Sequence, residues 1–190
     1  LNDRSPGRRL KIGYVSSDFR QHSVAHFIEP VLQSHDRDRF EVFCYSNQGM
    51  ADEVTRRIQS HADGWRPIAG LPDETVARQI RDDRIDILVD LGGHTAVNRL
   101  LIFARKPAPV QATWLGYPNT TGLSAMDYRI TDVFADPVGM TESLHSEQLI
   151  RLPECFSCYR PPRECPEVAE LPSRKRSYVT YGSFNTLSKI

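Results

Sequence analysis

The chain has 190 residues with 24 Lys plus Arg against 24 Asp plus Glu, so its formal net charge is zero, and 39% of it is hydrophobic. That length supports one domain with a real core, and the charge balance leaves no global field for nucleic acid or an acidic membrane surface, so any polyanion site must be local. No apolar run approaches the roughly 20 residues that span a bilayer, and the start LNDRSPGRR has no apolar stretch after its charges, so a soluble, unprocessed chain is expected.

Residues 1–9 read as a linker. LKIGYVS (10–16) is the first strand-like run, and SVAHFIEPVLQSH after it places Val24, Phe27, Ile28 and Val31 on one helical stripe with Ser23 available as N-cap. FEVFCYS (40–46) is the second strand and contains Cys44, with a helix expected around 51–62. In DETVARQIRDDR the stripe is Val76, Ala77 and Ile80, with Arg and Asp on the water side. DILVDLG (86–92), a short helix around 97–105, VQATWLG (110–116), YRIT (128–131) and EQLIRLP (147–153) continue the alternation. Short apolar strands separated by helices are the pattern of parallel βαβ units, so the fold class expected over 10–158 is a doubly wound, Rossmann-like α/β sheet. Residues 159–177 are rich in proline and charge and read as a linker. YVTYGSFNTLSKI (178–190) reads as a new strand cut short, the first of a further unit.

Cys155, Cys158 and Cys165 cluster in CFSCYRPPREC. The first two have zinc-knuckle spacing, but no histidine lies nearby to complete four ligands, and the prolines after Cys158 do not suit the helix start of a redox CxxC.

Open parallel sheets bind ligands beyond the carboxyl ends of their strands, so polar residues just after strands outrank polar residues elsewhere. Four loops qualify: SSDFRQHS, GGHTAVN, GYPNTTG and TDVFADP. In the first, His22 directly precedes a helix start, where backbone N–H groups attract anions and a histidine can act as base or donor near neutral pH. A capping or surface histidine is the plain alternative. His26 falls one turn inside the helix and is expected to pack; HSVAH lacks the glutamate of the zinc-protease HExxH pattern. In DLGGHT, Asp90 and His94 flank a glycine pair that admits close backbone approach to a ligand or serves only a tight turn. The third loop offers small hydroxyl and amide groups that suit a sugar or a peptide backbone, and a turn explains them nearly as well. Neither GxGxxG nor GxxxxGK[ST] occurs, which lowers the case for ordinary NAD binding and P-loop hydrolysis.

Taken together, IGYVSSDFRQHSVAHF, FEVFCYS, IDILVDLGGHTAVNRL, RKPAPVQATWLGYPNTTGLSAMDYRITD and YGSFNTLSKI resemble the N-terminal catalytic half of the O-GlcNAc transferase family, closest to its SPINDLY-like branch. The resemblance implies the N-terminal lobe of a GT-B glycosyltransferase that is inverting and needs no metal. Such an enzyme moves a sugar from UDP-GlcNAc to Ser or Thr hydroxyls of proteins; GDP-fucose is the alternative donor, as in plant SPINDLY. It implies no cofactor beyond that substrate, a nucleotide held mainly by a C-terminal lobe missing from this chain, and acceptor proteins bound through tetratricopeptide repeats that are also missing. Nucleic-acid and membrane partners are not expected, the compartment implied is cytoplasmic or nucleocytoplasmic, and the fragment alone is expected to be inactive. By the same resemblance His22 is the active-site histidine and His26 structural, Asp90 and His94 belong to a proton-relay or orienting set, and Pro118, Asn119, Thr120 and Thr121 contact sugar or acceptor. A non-catalytic sugar- or partner-binding module, or a transferase acting on a small acceptor, are the competing readings.

Overall fold

Seven strands form one all-parallel sheet: β1 (Leu10–Ser16), β2 (Phe40–Ser46), β3 (Gly64–Pro67), β4 (Ile87–Asp90), β5 (Val110–Thr113), β6 (Tyr128–Asp132) and β7 (Gln148–Leu152). The order across the sheet is β3-β2-β1-β4-β5-β6-β7. This computed structural model describes residues 2–161, 164–176 and 178–183, and contacts divide the chain at Arg160–Pro161 into two units.

Helices α1 (Ser23–Ser34), α2 (Glu53–Gln59), α3 (Asp73–Asp82) and α4 (Leu100–Phe103) fill the first four crossovers, while β5–β6 is joined by a loop and β6–β7 by a loop with one 3-10 turn at Glu142–Leu144. Strand residues alternate between two separate cores, as side chains with period two must. Tyr14, Cys44 and Val89 pack with Val24, Ile28 and Leu32 of α1 and with Ile58 of α2. Val15, Phe43, Tyr45 and Leu88 pack on the other face with Val76 and Ile80 of α3 and with Leu100 of α4. Covering both faces is what makes strands this apolar stable in a parallel sheet.

Several expectations are corrected. The buried stripe of α1 is Val24, Ala25, Ile28 and Leu32, while Phe27 and Val31 are half-buried. His26, expected to pack, is exposed: it lies a quarter-turn beyond Ala25, on the edge of the helix that turns to solvent. The cap of α1 is His22 and not Ser23, because the backbone leaves extended geometry at residue 22 (φ −155°, ψ 157°). Strand β3, in the segment GWRP, was not anticipated, since it contains a glycine and a proline and shows no alternation; it exists by pairing Phe43↔Gly64 through Ser46↔Pro67. In the second unit one helical turn, α5 (Pro172–Lys175), opens with proline at its first position, where no N–H is needed. Residues 178–183 form no strand, and the remainder of the strand expected over 178–190 lies outside the described residues.

From the segment before β1, Asn2 and Arg8 converge on Asp86 at the amino-terminal end of β4. Both Arg8 terminal nitrogens donate to its carboxylate at 2.6 Å, joined by the Lys11 N–H at 2.9 Å and Asn2 Nδ2 at 2.7 Å. Burial works to raise the Asp86 pKa, yet these donors hold it below the ordinary 3.8. A carboxylate depressed in the folded state binds fewer protons there than when unfolded, so its stabilisation is present above 3.8 and lost as pH falls through the folded value. Urea midpoints should therefore fall as pH drops below 3.8, and Asp86→Asn should flatten that slope.

Candidate functional site

Strand order reverses between β1 and β4: from β1 the sheet extends through β2 to β3, and from β4 through β5 to β7. The loops that leave these two strands therefore diverge to opposite faces and open a crevice at their carboxyl ends, the place where doubly wound sheets take ligands. Val15 pairs with Asp90 at the last rungs, so the loop carrying His22 and the loop carrying His94 start side by side.

The first loop is pinned along its length. Ser16 Oγ accepts from the Asp18 N–H at 2.9 Å, Phe19 is fully buried against Trp65, the Phe19 carbonyl accepts from Gln48 at 3.1 Å, and the Gln21 N–H donates to Asp52 at 2.7 Å. His22 then caps α1, its Nδ1 accepting from the Val24 N–H at 3.3 Å, and Asp18 Oδ1 lies 3.7 Å from the same nitrogen. The ring is 37% exposed. Because Nδ1 is the acceptor in the cap, the neutral ring carries its proton on Nε2 and presents a donor.

The second loop is organised by Asp90, which is wholly buried. Its carboxylate accepts the N–H of Gly92 at 3.1 Å and of Gly93 at 2.8 Å, and the Thr113 hydroxyl of the next strand at 2.8 Å. Burial pushes its carboxyl up, against those three hydrogen bonds. Asp90 thus anchors the turn that carries His94 and is itself sealed beneath it. Further along, the Val97 carbonyl accepts from Ser17 Oγ at 2.8 Å and Asn47 Nδ2 at 2.9 Å, and Arg99 joins Asn47 to Asp73 at 2.9 and 2.7 Å, so the loops after β1, β2 and β4 form one hydrogen-bonded rim. Val97 sits at φ +54° and Leu115 at φ +78°, left-handed conformations that a β-branched or large residue holds only under constraint.

In the third loop Pro118 and Asn119 are exposed, whereas Thr120 and Thr121 are engaged from within the protein. Glu147, buried just before β7, accepts the Thr121 N–H at 2.7 Å, the Thr121 hydroxyl, and the Thr120 hydroxyl at 2.7 Å. Burial would raise the Glu147 carboxyl, but these donors keep it below the ordinary value. The Thr121 carbonyl faces the other way and receives His94 Nε2 at 2.9 Å, while the His94 ring meets Tyr117 edge-on at 5.3 Å. Below the loop, buried Arg129 donates to the carbonyls of Tyr117 at 3.1 Å and Asn119 at 3.3 Å and faces Asp136, which also holds His145 at 3.1 Å. Asp136 belongs to the fourth loop, TDVFADP.

The structure therefore brings His22, Asp90, His94 and the Pro118–Thr121 segment to one end of the sheet, with Asp90 and His94 on one turn and His94 joined to Thr121. No hydrogen bond links His22 to His94 or Asp90 among the described residues. Sequence reasoning missed Glu147, Arg129, Asp136, Asn47 and Arg99, all of which hold the rim. A cavity of about 680 Å³ lies at the opposite end of the strands, lined by Pro6, Leu10, Phe40, Asp86 and Val110; the helix starts and loops that recognise ligands are not there. Cys155, Cys158 and Cys165 are exposed free thiols, and no group of three His, Cys, Asp or Glu side chains suited to a metal occurs among the described residues. No described helix is long and apolar enough to cross a membrane.

Comparison with known proteins gives a consistent result. The family model "Glycosyl transferase family 41" matches residues 2–159. The Petunia hybrida protein named probable UDP-N-acetylglucosamine–peptide N-acetylglucosaminyltransferase SPINDLY is 47% identical over all of this chain and 21% of its own length. The Caenorhabditis elegans UDP-N-acetylglucosamine–peptide N-acetylglucosaminyltransferase is 38% identical over 79% of this chain and 13% of its own. A solved structure of a mutant Thermobaculum terrenum O-GlcNAc transferase superposes with a TM-score of 0.83 at 46% identity, over 87% of this chain and 32% of that one. The chain thus spans about a fifth of the length of the curated SPINDLY relatives it matches. With the parallel sheet, the crevice at its switch point and a family model covering residues 2–159 in agreement, this chain belongs to glycosyl transferase family 41.

Proposed function

We propose that this chain is one lobe of a protein O-glycosyltransferase that transfers GlcNAc from UDP-GlcNAc to Ser or Thr hydroxyls of acceptor proteins, with inversion and without a metal. The observation that carries the reading is the pair of imidazoles, His22 and His94, on adjacent loops at the switch point, each held by a defined partner. In such a transfer the acceptor oxygen forms a bond to the anomeric carbon as the bond to the diphosphate oxygen breaks; the electron pair leaves with the nucleoside diphosphate, and the hydroxyl proton passes to a base. His22, on the first loop, offers Nε2–H as a donor to sugar, acceptor or phosphate oxygen, with Asp18 beside its ring. His94 offers an acceptor. Asp90 orients the turn beneath His94, and Pro118 and Asn119 supply exposed surface for sugar or acceptor.

GDP-fucose is the second donor reading, supported by the SPINDLY-like wording of GHTAVN and GYPNTTGL, whereas the SPINDLY relatives are themselves named for UDP-N-acetylglucosamine. The test is to incubate an acceptor protein with the longer protein carrying this chain and each nucleotide sugar, then weigh the acceptor by mass spectrometry. An added N-acetylhexosamine supports the first donor, an added deoxyhexose the second, and no adduct from either refutes the transferase reading. The 190-residue chain alone is expected to give no turnover. A departing diphosphate needs fixed positive charge, and Arg99 and Arg129 at the rim are already engaged by Asp73 and Asp136.

A further inference from the structure

We propose that Glu147 is a positioning residue that fixes the tautomer of His94, acting through the backbone of Thr121. This rests on the transferase reading for its purpose, but not for its geometry. Two atoms decide it. A backbone carbonyl can only accept, so the 2.9 Å contact between His94 Nε2 and the Thr121 oxygen requires the proton to be on Nε2. The lone pair of the neutral ring is then on Nδ1, which has no hydrogen-bond partner among the described residues. His22 is the reverse case, since its Nδ1 lone pair is taken by the Val24 N–H. Of the two imidazoles, His94 is the one whose open nitrogen can receive the hydroxyl proton, becoming imidazolium as the diphosphate leaves with the bonding pair.

The carbonyl of Thr121 is not free to move. Its own N–H and hydroxyl both bind one oxygen of Glu147, and the Thr120 hydroxyl binds the other at 2.7 Å. Glu147 is 5% exposed and lies 26 positions away in sequence, at the entry to β7, so the loop, besides its own turns at Gly122 and Leu123, is clamped to a distant segment. A carboxylate suits this place because all three partners are donors. Glutamine would turn one oxygen into an amide N–H₂, which cannot accept, and would release the clamp on one side.

Nitrogen-15 imidazole spectra of the 190-residue chain, taken at a pH where the histidines are neutral, read the tautomer with no substrate present. The wild type is expected to show His94 protonated on Nε2. Glu147→Gln and Glu147→Ala, each checked for folding by circular dichroism, are expected to show a growing Nδ1–H fraction. In the longer protein the same variants are expected to lower kcat about tenfold or more with KM nearly unchanged, the size of a weakened proton transfer. A wild-type His94 protonated on Nδ1, or a tautomer that stays on Nε2 in both variants, overturns the proposal. If the tautomer follows Glu147 but no sugar is ever transferred, the clamp stands and the transferase reading falls.

Discussion

On the proposed transferase reading, replacing His22 by alanine in the longer protein carrying this chain is expected to lower sugar transfer about a hundredfold or more, because the ring's Nε2–H donates to developing negative charge. Alanine also deletes the α1 cap, a loss of about 1 kcal/mol, so the variant changes folding and chemistry together. Asparagine separates them: its side-chain oxygen is among the best N-caps, but it has no imidazole. His22→Asn should melt near the wild type and remain as inactive as His22→Ala, with kcat/KM followed by mass spectrometry of the acceptor. Near-normal transfer by His22→Asn would reduce His22 to a helix cap and favour a lobe that binds without turning over.

Gly116→Ala is expected to be the most damaging single methyl group in the crevice. A Cβ at residue 116 would stand 2.0 Å from the Leu91 carbonyl oxygen and 3.0 Å from its carbon. Both are backbone atoms at the exit of β4, so no rotamer change relieves the clash and the loops after β4 and β5 must part. Overpacking of this kind costs about 3 kcal/mol or more. Gly122→Ala is the control: its φ of +70° strains any side chain, but nothing lies within 4 Å of the added Cβ, so the cost should stay nearer 1 kcal/mol. Urea unfolding of both variants measures the difference, and a Gly116→Ala midpoint equal to that of Gly122→Ala would refute the close approach.

These two predictions also mark how far sequence could lead. β1 and β2 coincide with the apolar runs LKIGYVS and FEVFCYS, because both faces of the sheet are covered and continuous hydrophobicity is what such strands need. β4 and β5 are shorter than their runs: Leu91, Trp114 and Leu115 remain apolar for packing after the ladder has ended. β3 was illegible, since its status comes from β2 and not from its own residues. In the site, Asp90 was visible as a polar residue at the end of a strand, and His22 and His94 as polar residues in the loops that follow. Their division of labour was not: that Asp90 is sealed under a turn and that Thr120 and Thr121 are taken by Glu147 depends on contacts between distant segments, and a glutamate before β7 carries no local mark of burial. His26 was misplaced because a helical period separates Ala25 from its neighbour by only a quarter-turn.

The pairing of β1 with β4 has a kinetic meaning. Lys11 and Asp86, bonded at the foot of that pair, are 75 positions apart, with α1, β2, α2, β3 and α3 between them. Closing so large a loop is slow and entropically costly until the ladder rewards it. Chains that stop short of β4 lack the strand that sets the His94 loop beside the His22 loop, so the two imidazoles share one rim only when the central sheet is complete.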